Sequence, residues 1–367
     1  MRIGVLGGGQ LARMLAMAGA PLGLRFRCFD TTTDAPARDV CELHVGAFAD
    51  PVAIDRFLRG VDVVTYEFEN IPASVVESIE RTRSVLPGSI ALRTGQDRIA
   101  EKSFFRNSGL AVHDFRAADS REAFDSAIAE IGLPAVVKTT RMGYDGKGQA
   151  VVRSTEDAAA AWAKLGASPL IVEKFVPFTR ELSAIAVRSP QGEVRFYDWV
   201  ENVHEGGILR LSRAPARGVP ETESSHVRAQ IAGAMDQMRY VGVMAVELFD
   251  VGGKLLFNEM APRVHNSGHW TIEGARCSQF ENHCRAVAGL PLGSTACIAP
   301  AAMVNLIGGL PAIADVLGIP GAHPHFYGKE PRAGRKVGHI TVIQEPGMSG
   351  AEFEASVERA RALAPKG

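Results

Sequence analysis

The sequence has few cysteines, almost no net charge and no uninterrupted hydrophobic segment, and each absence excludes a class of protein. Its five cysteines are odd in number and form no C-x-x-C pair, which argues against a disulfide framework or a zinc knuckle. The formal net charge is −1, so no global field attracts nucleic acid or an anionic membrane. An anionic ligand therefore needs a local cluster of basic residues.

Two segments could be mistaken for targeting or membrane sequences, and their own residues argue against it. The N-terminal apolar segment is interrupted by residues 7–10 and by Arg13, which breaks a signal-peptide core. Residues 286–314 contain no charge, but Pro291, Pro300 and Pro311 divide them into turns and one short strand. The sequence therefore predicts a cytoplasmic protein with no membrane or nucleic-acid partner.

Length and changes in pattern predict three domains. Residues 1–95 alternate strands and helices, which indicates a parallel α/β sheet. Residues 96–293 are α+β with mostly antiparallel strands, and residues 294–367 form a smaller β-rich domain closed by a helix over 350–363. The fold class is therefore α/β at the N-terminus followed by α+β.

The N-terminal glycines are a weak signal. Gly7-x-Gly9-x-x-Ala12 follows the first strand and opens a helix, and Asp30 ends the second strand. Backbone amides at such a helix start can bind any phosphorylated ligand. We interpret the motif as an anion site, with a purely structural tight turn as the alternative.

The most informative feature is a predicted hairpin over residues 243–259. A three-residue turn at 252–254 would place Glu247 directly opposite Glu259, and an Mg²⁺ ion would relieve the repulsion between the two carboxylates. The alternatives are a solvated strand face, or a two-residue turn that points Glu259 the other way. The apolar residues expected on the same face are Val243, Ala245, Phe249, Leu255 and Phe257.

A glycine-rich segment lies between two predicted strands, and Lys138 ends the first of them. Such a segment can cover ATP phosphates, because glycine lets backbone amides approach the oxygens. No Gly-Lys pair is followed by Ser or Thr, which excludes a P-loop. Alone, the segment could equally be a flexible surface hairpin.

Taken together and in order, these motifs resemble the ATP-grasp enzymes and, more narrowly, the N5-carboxyaminoimidazole ribonucleotide synthetases of purine biosynthesis. The resemblance covers nearly the whole chain. It rests on Lys138, 143–149, 173–176, Glu181, Glu247 and 258–270, and on three further stretches, 7–11, 67–70 and 201–209.

The resemblance implies an ATP site between two subdomains of the central region. Glu181 and His204 would bind the ribose, although without the family they would read as a surface ion pair. Glu247 and Glu259 would bind Mg²⁺, with help from Asn258. The phosphates would be held by Arg98, Lys138, Gly143, Tyr144, Asp145, Gly146, Lys147, Gly148 and Gln149, and the adenine by Glu173, Lys174, Phe175 and Val176.

The implied reaction is that of a carbon–nitrogen ligase. Bicarbonate would attack the γ-phosphate of ATP to give carboxyphosphate, and the carboxyl group would pass to the exocyclic amine of aminoimidazole ribonucleotide. Arg263, Asn266, Lys138 and Tyr144 would take part in the chemistry, since a guanidinium matches planar anions and loop closure excludes water. The family also suggests a homodimer. The substrate residues would be Gly8, Gln10, Leu11, Glu69, Tyr144, Arg263, His265, Asn266, Ser267, Lys329, Arg332, Arg335 and Lys336.

Several alternatives stay open. The basic residues 329–336 would read on composition as a solvated loop, whereas the resemblance implies that they reach the ribonucleotide phosphate. Zinc at His265 and His269 is disfavoured, because the residues between them do not favour a helix. Competing functions are a formate-using transformylase of the same superfamily, a nicotinamide-dependent oxidoreductase, and a nucleotide-binding regulator without catalysis.

Overall fold

A computed structural model describes residues 1–143 and 148–365. The strands are β1 (Arg2–Leu6), β2 (Arg25–Asp30), β3 (Glu42–Val45), β4 (Val63–Tyr66), β5 (Phe115–Ala118), β6 (Ala135–Thr139), β7 (Gln149–Val152), β8 (Leu170–Lys174), β9 (Arg180–Arg188), β10 (Val194–Phe196), β11 (Val200–Glu205), β12 (Ile208–Ala214), β13 (Gly242–Val251), β14 (Lys254–Ala261), β15 (Ala301–Ile307), β16 (Ala322–Phe326) and β17 (Lys336–Ile343). The helices are α1 (Gln10–Gly19), α2 (Pro51–Leu58), α3 (Ala73–Glu80), α4 (Ser89–Gln96), α5 (Arg98–Asn107), α6 (Arg121–Ile131), α7 (Thr155–Leu165), α8 (Glu221–Gln237), α9 (Thr271–Gly274), α10 (Gln279–Val287), α11 (Ile313–Leu317) and α12 (Gly350–Leu363).

The N-terminal domain is built on a parallel sheet in the order β3-β2-β1-β4, as the alternating pattern predicts. Side chains alternate across β1, so Ile3 and Val5 join one core cluster while Leu6 joins another on the opposite face. The first cluster also contains Phe280 of α10. The N-terminal sheet therefore shares a hydrophobic core with the central region.

The glycine-rich segment belongs to a small antiparallel sheet in the order β5-β8-β6-β7. Its core contains Phe124 of α6 and Ala161 of α7, so both helices cover one face. Each helix begins with a serine cap, Ser120 and Ser154, whose hydroxyl accepts a backbone N–H of the first turn. The described start of the β6–β7 connection contacts the beginning of α5, through Arg141 Nε to Asp97 Oδ2 and Arg98 Nη2 to the Gly143 carbonyl.

In the described part of the chain, the largest sheet has nine strands, in the order β14-β13-β9-β11-β12-β15-β17-β16, with β10 beside β9. The C-terminal strands, predicted as a separate unit, extend this sheet because β15 pairs with β12, with Leu211 opposite Val304. The helix predicted over 350–363 is confirmed, and its Ser349–Glu352 capping box fixes its start. No helix in the described ranges is long and apolar enough to cross a membrane.

The carboxylate hairpin is real, but its predicted turn is wrong. The turn has two residues, Gly252 and Gly253, both at positive φ, and Val251 pairs with Lys254. Leu248 pairs with Phe257, and Glu247 pairs with Glu259, so Asn258 is an extra residue that forms a β-bulge. The bulge shifts the register by one, and the two carboxylates end up opposite each other.

Because of the bulge, two residues that were predicted on the Glu247 face lie on the other face of the sheet. Val243 and Ala245 lie on the Glu247 face as predicted, in the core shared with the N-terminal sheet. Leu255 and Phe257 instead pack with the cluster on the other face of the sheet. The reason is physical: one inserted residue reverses the alternation of side chains along β14 between Phe257 and Glu259.

Candidate active site

Glu247 and Glu259 form the acidic centre of a cleft between the sheets. Burial and the facing Glu259 raise the pKa of Glu247 to about 7. Burial also opposes ionisation of Glu259, but Arg98 and then Lys138 outweigh it and lower its pKa to about 2. Arg98 Nη1 lies 2.8 Å from Glu259 Oε2. The pair therefore holds one firmly ionised carboxylate and one, Glu247, whose ionisation a bound cation would favour.

Lys138, the next-to-last residue of β6, belongs to a buried charge network. Its Nζ lies 2.7 Å from Glu173 Oε2, while Lys102 Nζ lies 3.3 Å from Glu173 Oε1 and His113 Nε2 lies 3.2 Å from Oε2. Burial opposes ionisation of Glu173, but the two lysines hold its pKa well below the usual range. The Glu173 side chain thus holds Lys138 near the glycine-rich segment.

The described ends of that segment have tightly constrained backbones. Arg98 Nη2 donates to the carbonyl of Gly143 at 3.3 Å, and Gly148, at φ +71°, accepts from Thr139 N at 2.9 Å. A Cβ on Gly148 would lie 2.7 Å from Thr139 Oγ1, so the position needs glycine. Gln149 begins β7 opposite Lys138. Tyr144, Asp145, Gly146 and Lys147 lie outside the described residues.

The segment predicted to bind adenine, residues 173–176, comprises the last two residues of β8 and the two that follow it. The amides of Lys174 and Phe175 donate to Asp114 O and Pro134 O, and the carbonyl of Val176 accepts from Phe178 N. Glu173 is paired with neighbours on both sides of β8. The amides of Lys174 and Phe175 therefore already have protein acceptors.

Glu181 and His204 are brought together as an ion pair with Nδ1 and Oε1 3.0 Å apart. Glu181 lies on β9 two residues from Ser183, which pairs with Glu247, so both carboxylates project from the same face. Burial opposes protonation of His204, but Glu181 and Glu247 raise its pKa. The pair is thus part of the acidic centre and more than a surface contact.

A second cavity adjoins the first. Arg263 Nε donates to Glu69 Oε2, which makes an ion pair between two partly buried side chains. His265 Nδ1 lies 2.9 Å from Ser267 Oγ, and burial beside Arg263 lowers the His265 pKa to about 3, so this imidazole is neutral. Asn266 exchanges amide hydrogen bonds with Asn305, at 3.0 and 2.6 Å.

The two cavities share one wall. The first, of about 830 Å³ including its open mouth, is lined by Arg98, Glu247 and Glu259 among others. The second, of about 1580 Å³ on the same measure, is lined by Gln10 and Leu11 on one side and by the basic segment on the other. The residues common to both are Glu69, Asn70, Arg263, His265 and Lys336. Besides Arg263, the basic residues of the second cavity are Lys329, Arg332, Arg335 and Lys336.

Two predicted substrate residues are not on the cavity walls. The Gly8 amide donates to Asp30 Oδ2 at 2.7 Å, and the Gly9 amide donates to Glu67 Oε1 at 2.9 Å, so protein carboxylates occupy the expected anion site. Ser267 is fully buried and bonds to His265 instead. In this conformation the N-terminal glycines hold the start of α1 in place and do not open toward a phosphate.

Sequence reasoning missed several charged residues of the site. Glu101 lines the first cavity, and Lys102 and His113 hold Glu173. Glu101 and Lys102 follow Arg98 at the i+3 and i+4 positions of α5, so one face of that helix is charged. That spacing was a usable signal. No local sequence pattern points to Asn305, because its partner Asn266 is 39 residues away.

Three family profiles match successive parts of the chain. The ribonucleotide synthetase preATP-grasp domain matches residues 1–96, the ATP-grasp domain matches 103–280, and the phosphoribosylaminoimidazole carboxylase C-terminal domain matches 301–349. With the paired carboxylates and the lysine beside a glycine-rich connection, the fold and site define an ATP-grasp ligase.

Similar proteins show which family of ATP-grasp ligases the chain belongs to. An N5-carboxyaminoimidazole ribonucleotide synthase of Pseudomonas aeruginosa is 50% identical over 343 residues, 93% of this chain and 94% of its own. The crystal structure of N5-carboxyaminoimidazole ribonucleotide synthetase from Thermus thermophilus is 52% identical, with a TM-score of 0.94 and 99% of each chain covered. The Aspergillus clavatus enzyme in complex with ADP and 5-aminoimidazole ribonucleotide is 31% identical, with a TM-score of 0.89 and 99% of each chain covered. The chain belongs to the N5-carboxyaminoimidazole ribonucleotide synthase family.

Proposed function

We propose that this protein uses ATP and bicarbonate to carboxylate the exocyclic amine of 5-aminoimidazole ribonucleotide, giving N5-carboxyaminoimidazole ribonucleotide, ADP and phosphate. The main support is the pair of adjoining cavities, an acidic cavity named for the paired carboxylates that it contains and a second one lined by the basic segment, with Arg263, His265 and Lys336 on the common wall. A reactive carboxylating species formed in the first cavity would meet the amine bound in the second without crossing bulk water.

We assign the acidic cavity to Mg-ATP. Glu247 and Glu259 offer hard oxygen ligands, and the buried Oδ1 of Asn258 has no hydrogen-bond partner among the described residues. These residues do not form a cluster of three or more acidic, His or Cys ligands in the described ranges, so the phosphates of ATP would complete the coordination. When bound, Mg²⁺ would neutralise charge on the transferring phosphoryl group.

Arg98 and Lys138 would orient the phosphates. Carboxylates hold both cations in place, because Arg98 Nη1 lies 2.8 Å from Glu259 Oε2 and Lys138 Nζ lies 2.7 Å from Glu173 Oε2. Bicarbonate oxygen would attack the γ-phosphorus as the bond to ADP breaks, giving carboxyphosphate. The amine nitrogen would then bond to the carboxyl carbon as phosphate leaves and the nitrogen loses its proton. The carboxyl group could pass directly or as CO₂.

Arg263 is placed to hold the planar anions of this sequence. Its pKa is raised by Glu69 and Glu67 despite burial, so the guanidinium stays charged. Asn266 would add a donor from the second cavity, oriented by Asn305. His265, neutral through burial, would act as a hydrogen-bonding group and not as a second cation.

The remaining assignments extend the same proposal. Glu181 and His204 would hold the ribose of ATP, and residues 173–176 would hold adenine. Lys329, Arg332, Arg335 and Lys336 would bind the ribonucleotide phosphate, with Gln10 and Leu11 opposite. Closure of the segment around Tyr144 over the phosphates, a homodimer and a cytoplasmic location are further parts of the proposal.

ADP release by the purified protein tests the reaction. Mg-ATP is supplied with bicarbonate alone, with aminoimidazole ribonucleotide alone, and with both in degassed buffer. Strong stimulation only by the pair, with carboxylated product formed, is the expected result. Stimulation by formate and glycinamide ribonucleotide, without response to bicarbonate, would instead identify a transformylase of the same superfamily.

A further inference from the structure

Strand β14 is an edge strand of the nine-stranded sheet, so no strand pairs with one side of its backbone. Around the bulge these partners come from α5 and the segment after it. Phe257 N donates to Ala111 O at 2.8 Å, and Lys102 Nζ donates to Asn258 O at 2.8 Å. Met260 N donates to Glu101 Oε1 at 2.6 Å. The backbone at the bulge is therefore hydrogen-bonded by residues that do not belong to the sheet.

Helix α5 contacts three consecutive residues of β14. Lys102 binds the backbone of Asn258, Arg98 binds the side chain of Glu259, and Glu101 binds the backbone of Met260. Because Arg98, Glu101 and Lys102 are spaced i, i+3 and i+4, they project from one face of the helix. The two backbone bonds thus flank the residue whose carboxylate faces Glu247.

These two side chains are costly to bury. Lys102 is 0% exposed and Glu101 is 2% exposed. Well-packed apolar residues often replace such buried charges without loss of stability. Because both side chains bond to the backbone of β14, orientation of the bulge explains these two buried polar groups better than stability does.

We propose that Glu101 and Lys102 are positioning residues that fix the backbone on both sides of Glu259 and thereby aim its carboxylate at the metal opposite Glu247. The inference rests on the proposed Mg²⁺ site. The bulge reverses side-chain alternation at this point, so slippage by one residue would turn Glu259 away from Glu247. Two specific backbone contacts prevent that slippage.

The test measures metal binding directly. Binding of Mn²⁺ to the ADP-saturated protein is followed by the loss of the free Mn²⁺ electron paramagnetic resonance signal. Glu101→Ala and Lys102→Met should raise the Mn²⁺ Kd about 10- to 100-fold, the range typical of residues that orient metal ligands. Glu101→Gln keeps an oxygen for Met260 N and should stay within about threefold of the parent. Affinity for aminoimidazole ribonucleotide, measured by calorimetry, should not change.

Arg188→Met is the matched control. Arg188 is a buried cation that also binds a carboxylate, Asp236, and a backbone carbonyl, that of Tyr240, at the far end of β9. Its loss should lower the Tm without changing the Mn²⁺ Kd. This variant separates general destabilisation from an effect on the metal site.

The outcomes decide between positioning and packing. Folded Glu101→Ala or Lys102→Met protein with an Mn²⁺ Kd within about twofold of the parent would overturn the proposal, as would a parent that binds no Mn²⁺ with ADP. If Lys102→Met fails to fold, the Glu101→Ala and Glu101→Gln pair decides alone. A parent that binds Mn²⁺ but releases no ADP with bicarbonate and ribonucleotide would refute the proposed reaction while leaving this inference testable.

Discussion

The two adjoining cavities hold their charges in different ways. Around Glu259 the charged groups stand on α5, β6, β8, β13 and β14, and they are mostly buried and paired with one another. The basic residues of the second cavity lie largely on the connection from β16 to β17, where Arg332 is exposed. A preorganised set favours transition-state stabilisation, whereas an exposed set favours binding. Substitutions should therefore lower kcat in the first cavity and raise KM in the second.

Glu259→Gln should have the largest effect. The change removes an ionised metal ligand and leaves Arg98 without its carboxylate, so ADP formation should fall on the order of 10³-fold. Steady-state ADP release and circular dichroism provide the measurement. Glu130→Gln, which alters an exposed ion pair on α6, is the control and should retain activity. Normal turnover in Glu259→Gln would contradict the assignment of Glu259 as an Mg²⁺ ligand.

Arg263→Lys tests the wall that the cavities share. Lysine keeps the charge but loses the planar fork that bonds to Glu69 and would hold the anion. Carboxylated product should fall about 10²-fold, while ADP release falls less, because misplacement by about 1 Å costs that much in the transfer step. Arg228→Lys, remote from both cavities, is the control. Equal loss of ADP and product would place Arg263 in the phosphoryl-transfer step alone.

The hairpin shows how far the sequence could lead. Alternation and the glycines predicted the pairing of Glu247 with Glu259, and that pairing is confirmed, but the predicted three-residue turn is wrong. The pairing results instead from a two-residue turn and a bulge at Asn258. Nothing local marks the bulge, because its backbone partners lie on α5, more than 150 residues earlier. Side-chain periodicity gives the face of a strand only while the register is regular.

The same limit applies to the rest of the site. Local patterns predicted the parallel N-terminal sheet, the two strands that flank the glycine-rich segment and the last helix. They could not give the bonds of Glu69 with Arg263 or of Arg98 with Glu259, which join residues 194 and 161 positions apart. Nor could they join β15 to β12, because strand order depends on tertiary packing. The roles of the individual site residues stay predictions.

Arg332→Ala should have a smaller and more selective effect. Arg332 lines only the second cavity, whereas Lys336 lines both. Loss of one charge-assisted contact to phosphate should raise the KM for the ribonucleotide about tenfold and leave the KM for ATP unchanged. Lys336→Ala is the comparison, and its effect should extend to ATP. An unchanged KM for the ribonucleotide in Arg332→Ala would show that Arg332 is solvated and does not bind the ribonucleotide phosphate.

The smallest predicted effect concerns the pH dependence of stability at His204. Glu181 and Glu247 raise the folded-state pKa of His204 above its ordinary value of about 6.5 despite burial. Its contribution is therefore fully present below pH 6.5 and is lost as the pH rises through the higher folded pKa. Compared with His204→Gln, the metal-free parent should have a Tm about 2 °C higher at pH 6, and this difference should vanish toward pH 9. Glu181→Gln, which removes the partner, should reduce the pH dependence. A difference that grows with pH would show that burial, and not the carboxylates, controls this histidine, and the acidic cavity would then be less preorganised than its geometry indicates.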